Sequence, residues 1–216
     1  MKSNLQIQKY ASHYIVDSNA SVLPHIYNSE TSLVCYCQPA SWALSRAAQS
    51  FVTRHPDDRF TYQGEISPKL IQQLSSKFTP SSHGNLILSH IELMLEMFNT
   101  LLQPEEIGLR VIACQHAHSP AFHENRMIAR MTSSLGGSGE QWIERQDAQY
   151  FPLQKNQTTA QIKPPPAHTI NSLCDGDIAI YKGTSWLEHE HNALISASPT
   201  FNDKDAKLCV YIDFIS

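Results

Sequence analysis

The stretch FHENRMIARMTSSLGGSGEQW (Phe122 to Trp142) places a histidine, His123, two positions before an amide, Asn125. On an extended strand, residues i and i+2 share a face, roughly 7 Å apart. His123 and Asn125 are therefore expected to point the same way, and Glu124 the opposite way. Two ligands so placed, completed by a third from a facing strand, would build the 2-His-1-carboxylate triad, which leaves positions open on a divalent iron for substrate and oxygen. The carboxylate brings charge to the ion. Asn125 brings only a neutral carbonyl oxygen, and a single histidine does not hold iron(II) against water.

Further ligands are within reach of the pattern, since the chain carries 11 histidines. Cys114, His116 and His118 alternate, and on a continuous strand all three would share a face. His189 and His191 flank a later strand. A centre built from His116, His118, His123 and His191 would be nitrogen-rich and would suit zinc or copper better than iron. The competing reading is that His-x-His lies in an exposed loop without function. Arg130 could hold a carboxylate bidentately as a substrate anchor, or pair structurally with Asp177 or Glu140. Lys182 is either a substrate-facing amine or an ordinary strand-end lysine, and Trp142 and Trp186 are core or pocket walls. Ser133, Ser134 and Ser138 have no His–Asp partner at recognisable spacing, which argues against a serine hydrolase. GGSG (Gly136 to Gly139) lacks a following helix or GK[ST], so it is expected to be a hairpin turn rather than a phosphate cradle.

Composition narrows the class. The 216 residues suit one domain, the net charge is −4, and the 16 basic residues form no block, so a phosphate-neutralising nucleic-acid surface is not expected. No apolar run reaches the roughly 20 residues of a membrane span, and the N-terminus lacks a signal-peptide h-region. The expectation is a cytoplasmic protein whose partner is a small-molecule ligand or substrate. The five cysteines form no CxxC pair, which argues against a disulfide framework or a zinc knuckle. Cys35 and Cys37, in the apolar run SLVCYCQ, are read as core thiols rather than ligands.

The elements that must position these residues divide the chain in two. Residues 1–106 are mixed and mainly helical. SLVCYCQ (Ser32 to Gln38) reads as a buried strand, Pro39 as the start of a helix, SPKLIQQLSSKF (Ser67 to Phe78) as a capped second helix, and NLILSHIELMLEMFNTLL (Asn85 to Leu102) as a third, with Met94 and Met97 in its packing face. From Ile107 the period changes to two, and IGLRVIACQHAH, NRMIARMTSSL, DIAIYKG, NALISASP and KLCVYIDFI read as strands. Lys155 to Ser172 is a polar, Pro-rich connection. A single domain is expected, of α+β class, with a jelly-roll core at residues 107–216 and an α-rich N-terminal extension.

Phe122, His123, Arg130, Gly137, Gly139 and Trp142 match in register a pattern close to F-H-x-D-x4-R-L-x2-T-Y-x-G-P-G-T-E-W. In this respect the segment resembles the signature of DUF1826, an uncharacterised bacterial family. GDIAIYKG (Gly176 to Gly183) is similar to that family's G-D-v-a-l-x-K-G, and the closing LCVYIDF to its final strand. The resemblance covers roughly the last 110 residues well and the N-terminal part in outline. It implies a cupin-like double-stranded β-helix similar to the iron and 2-oxoglutarate oxygenases, and a link to zinc homeostasis. It also implies two lost ligands: the family's acid falls at Asn125, and its distal histidine, in H-R-S-P, at Ser196. Two readings follow. One is a diverged metal-dependent, oxygenase-like protein acting on a small molecule, with His123 and neighbouring histidines on an iron, zinc or copper ion and Arg130, Trp142 and Lys182 against the substrate. The other is a non-catalytic metal-binding or interaction protein with a vestigial site.

Overall fold

The computed structural model describes residues 14–152, 161–187, 192–202 and 205–215. Its strands and α-helices run in chain order as β1 (Tyr14–Asp17), β2 (Leu33–Tyr36), α1 (Trp42–Arg54), β3 (Arg59–Gly64), α2 (Pro68–Phe78), α3 (Gly84–Leu102), β4 (Ile107–Cys114), β5 (His123–Glu124), β6 (Ala129–Leu135), β7 (Gln141–Ile143), β8 (Asn171–Ser172), β9 (Ile178–Lys182), β10 (Ile195–Ala197) and β11 (Lys207–Phe214). Seven strands form one sheet in the order β1-β2-β9-β6-β11-β4-β3, and four short ones a second, β5-β10-β7-β8.

The strands β2, β9 and β11 of the large sheet are largely apolar because both of their faces are covered. On one face Val34, Leu109, Val111, Met131, Ile178, Ile180, Val210 and Ile212 pack against Phe51, Leu74, Phe78, Ile91, Met94 and Phe98 of the three helices. On the other face Leu33, Cys35, Ala179 and Tyr181 pack against Trp142 of β7 and Leu194. Period-2 alternation thus sorts each strand into helix-facing residues and residues facing the small sheet.

The helices follow their local signals. Ser41 Oγ accepts the amide of Leu44 at 3.2 Å and caps α1. The helix therefore starts at Trp42, three residues later than Pro39 suggested. Pro68 starts α2 as expected, but Ser67 stands at the N-cap position without a side-chain capping hydrogen bond. In α3 the buried residues Ile87, His90, Ile91, Met94, Leu95 and Phe98 recur at helical spacing, and Gln103 ends the helix in a left-handed conformation, with φ 47°, before Pro104.

Four expectations change. The N-terminal part is not an extension beside the β core: β1 and β2 extend one edge of the large sheet and β3 the other, so both halves of the chain share one sheet. β4 stops at Cys114 rather than running to His118. GGSG is not a hairpin, since it carries the chain from β6 in the large sheet to β7 in the small one. Gly136, at φ +94°, makes that departure, with its amide on Asp175 Oδ1 at 3.0 Å. Finally, the end of the Pro-rich connection is ordered into β8, which pairs with β7.

Candidate functional site

His123 lies on β5 directly across from Ser196 on β10, and Ser196 lies across from Trp142 on β7. The register therefore brings the expected first ligand position and the distal position together. The third position joins them, because Asn125 Nδ2 donates to Ser196 Oγ at 3.2 Å. His123, Asn125 and Ser196 form one cluster, but its hydrogen bonds are turned inward. Asn125 Oδ1 accepts from Arg130 Nη1 at 3.2 Å, and His123 Nδ1 sits 2.8 Å from the carbonyl of Ala121. Glu124 does not substitute as an acid: it is ion-paired with Arg145.

Beneath this cluster a row of polar side chains crosses the large sheet. Tyr181, Arg130 and Asp213 are cross-strand neighbours on β9, β6 and β11. Arg130 Nε donates to Asp213 Oδ1 at 2.5 Å and its Nη2 to Asp213 Oδ2 at 3.1 Å. This is a bidentate fork. Arg130 thus pairs with Asp213, not with Asp177 or Glu140, and its remaining arm is held by Asn125. Asp213 also takes Arg110 Nη2 at 3.1 Å. Both guanidinium groups lie over the ring of Tyr211, at 5.2 Å for Arg110 and 5.4 Å for Arg130. Glu140, at the exit of the GGSG turn, is buried and accepts from the hydroxyl of Tyr181 at 3.1 Å. Burial raises its carboxyl above the usual range, while Arg130, Tyr181 and Thr132 work in the opposite direction.

The remaining sequence-derived candidates separate. His116 is exposed in the bends after β4, so strand alternation no longer carries it or His118 onto the face of Cys114. His118 packs edge-on against Tyr211, with ring centroids 5.8 Å apart. Desolvation, followed by the charges of Arg110, Arg59 and Arg130, holds its imidazole below the ordinary range. His189 and His191 lie outside the described residues. Lys182 is on the helix side of β9, opposite to Tyr181 and Arg130. Its Nζ donates to the carbonyl of Asn28 at 2.8 Å and lies 5.1 Å from the centre of the Trp186 ring. Burial lowers its amine to about 8. Trp142 is buried between the sheets and meets Tyr14 edge-on at 5.8 Å. Its indole N–H has no protein acceptor among the described residues.

A cavity of about 660 Å³ opens at the His123 end, lined by Phe122, His123, Arg126, Tyr150, Gln161 and Thr184 among others. Arg126, which is exposed, also lines a second cavity of about 760 Å³ beside Arg110 and Asp213. Sequence reasoning singled out Arg130 and passed over Arg126, Asp213, Tyr181 and Tyr211. Their inward direction was readable from alternation along β9 and β11, but their convergence depends on cross-strand register.

An iron ion does not fit the His123 cluster as it stands. Of the three positions only His123 offers a ligand of the right type, and the nearby carboxylates of Asp213, Glu140 and Glu124 are each held by another side chain. Among the described residues, the one group of three or more His, Cys, Asp or Glu able to share an ion lies elsewhere.

Two sheets facing each other, with helices on the outer face of the larger, define the dioxygenase type of jelly-roll fold. The rice dioxygenase for auxin oxidation is similar to this chain with a TM-score of 0.52 and 9% identity, over 94% of this chain and 82% of that one. A prolyl-4-hydroxylase from Pseudomonas putida aligns with a TM-score of 0.43 and 10% identity, over 93% of this chain and 100% of that one. At such identities the likeness is one of fold, and of the two it is the rice enzyme that defines it. No curated protein matches the sequence. Residues 17–213 match the family described as "Protein of unknown function (DUF1826)", and the chain belongs to that family.

Proposed function

We propose that this protein is a small-molecule-binding member of the oxygenase-like fold in which the iron centre is vestigial. The observation that carries this reading is the side-chain bond between Asn125 and Ser196, at the two positions where a carboxylate and a second histidine would be needed. Arg130 supports it, since its donors are taken up by Asp213 and Asn125 and are not directed at a ligand. The ligand space is the cavity beside His123. Arg126 lines it with no ion pair among the described residues, which favours a ligand with an anionic group. A contribution to zinc homeostasis, which the family resemblance implies, is compatible with a binding protein and needs no turnover.

Anaerobic iron(II) titration of the purified full chain, with and without 2-oxoglutarate, tests the proposal. The expected result is no stoichiometric iron and no oxygen consumption. Stoichiometric iron that is lost in His123→Ala would overturn it and restore the enzymatic reading. The cavity is tested separately by screening small carboxylic acids for thermal stabilisation. Shifts that disappear in Arg126→Ala support an anion contact there, and shifts that persist in Arg126→Ala remove it.

A further inference from the structure

The group able to share an ion is Cys35, Cys37 and Asp177, whose ligand atoms all lie within 4.8 Å of one another. We propose that these three residues form a zinc(II) site at the corner where β2 ends beside the start of β9, with a water molecule completing the tetrahedron. It is separate from the His123 cluster and independent of the function proposed for it.

The corner is assembled by register. β2 and β9 are antiparallel, with Cys35 across from Ala179 and Tyr36 from Ile178. Cys35 and Cys37 are two apart and face the same side, and one step beyond the Tyr36–Ile178 pair brings Cys37 opposite Asp177. The amide of Cys37 donates to the carbonyl of Asp17 at 2.8 Å, which fixes the backbone past the end of β2. Residues 174–177 form a tight turn: the Cys174 amide donates to Asp177 Oδ2 at 2.8 Å, and the Asp177 amide to the Cys174 carbonyl at 3.2 Å. The turn is held against its surroundings by Ala40 N on Asp175 O, at 2.9 Å, and Gly176 N on Ser134 O, at 2.9 Å. Gly176 is at φ +88°, and a Cβ there would stand 2.4 Å from the Ala40 nitrogen.

The donor chemistry selects the ion. Thiolates alone suit copper(I) as well as zinc, but a carboxylate in the set favours a divalent ion, and tetrahedral coordination by S and O is ordinary for zinc. Tetrahedral bonds of about 2.0–2.3 Å place neighbouring ligand atoms roughly 3.3–3.8 Å apart, so small side-chain movements close the site. Binding releases the thiol protons to solvent, and zinc changes no oxidation state. Cys35 and Asp177 are buried and Cys37 is half-buried, which leaves a route for the ion from solvent.

The test is zinc titration of the reduced, untagged full chain against a chromophoric chelator, with cobalt(II) substitution as a spectroscopic check. One zinc per chain is expected, together with a thiolate-to-cobalt charge-transfer band. Cys37→Ser should weaken zinc binding on the order of 100-fold or more, and Asp177→Asn on the order of 10–100-fold, the loss seen even when a ligand's supporting partner is removed. His123→Ala should keep the zinc. If Cys35→Ser, at a buried position, fails to fold, Cys37→Ser at its half-buried position decides alone. Absence of bound zinc in the folded parent chain, or zinc retained in Cys37→Ser and lost in His123→Ala, would overturn the proposal.

Discussion

Two corners of the sandwich carry metal-ligating residue types, and they invert one another. At the His123 end, a sequence motif suited to iron meets a structure in which the partner positions hydrogen-bond each other and the local acids are paired. At the Cys35 corner, an apolar run that reads as core meets a structure in which two thiols and a carboxylate converge. The difference shows that spacing along one strand places at most two ligands. The third comes from a neighbouring strand or turn, and whether it is a ligand or a neutral hydrogen-bonding group decides what the corner can hold.

The largest expected effect tests whether the His123 end is braced from within. Arg130 is 12% exposed in its side chain and forks onto Asp213. Arg130→Ala leaves a carboxylate whose side chain is only 18% exposed with Arg110 alone, which should cost about 3 kcal/mol, at the lower end of the range for breaking a buried pair. Urea midpoints measure this. If stability is unchanged while binding of a small acid is lost, Arg130 is a ligand anchor and the contrast between the corners weakens.

His90, away from both corners, fixes the pH window in which they can be compared. It is buried against Ser133 Oγ at 2.9 Å, and burial lowers its imidazole from 6.5 to about 4. The unfolded chain therefore binds the proton first as pH falls. Stability from this group is complete above pH 6.5 and is lost between about pH 6.5 and 4, a change on the order of 3 kcal/mol at about 1.4 kcal/mol per unit. Stability curves for His90→Gln should be flatter across that window. If they keep the full slope, another group is responsible. Zinc should act on a similar scale. At about one hundred times the dissociation constant it should stabilise the parent chain by about 2.7 kcal/mol, since it binds the folded state. Thermal denaturation should show this gain vanish in Cys37→Ser and survive in His123→Ala. The reverse pattern would exchange the roles of the two corners.

Much of the scaffold was legible because burial on both faces produces long apolar runs and helical packing produces its own period. The stripe of α3, the Pro68 start of α2, and the β6, β9 and β11 segments could be read directly. The edge strand β3 could not, since RFTYQG alternates exposed with half-buried residues and has no fully buried side. The end of β4 at Cys114 was hidden too, because Cys-x-His-x-His continues a period-2 pattern into bends. At the site, His123, Asn125 and Ser196 were legible through family register, and their contact is a property of β5–β10 pairing. The partner of Arg130 was not legible: Asp213 is 83 residues away and meets it only because β11 lies beside β6.

The smallest effect is the sharpest test of the contrast. Asn125→Asp with Ser196→His restores the two ligand types that the His123 end lacks, on a backbone that already brings these positions together. Without metal the double variant should lose about 1 kcal/mol, the usual worth of the hydrogen bond removed. A new acid near Asp213 and Glu140 adds repulsion, which Arg130 partly offsets. With iron(II) present the loss should be recovered, because an ion that binds only the folded chain stabilises it. Restoration of metal binding in the double variant but in neither single one would show that the scaffold still holds the geometry and that only the donor atoms changed. If the double variant binds no iron while remaining folded, the bracing by Arg130 and Asp213 has closed the space as well, and the difference between the two corners lies in packing rather than in ligand identity.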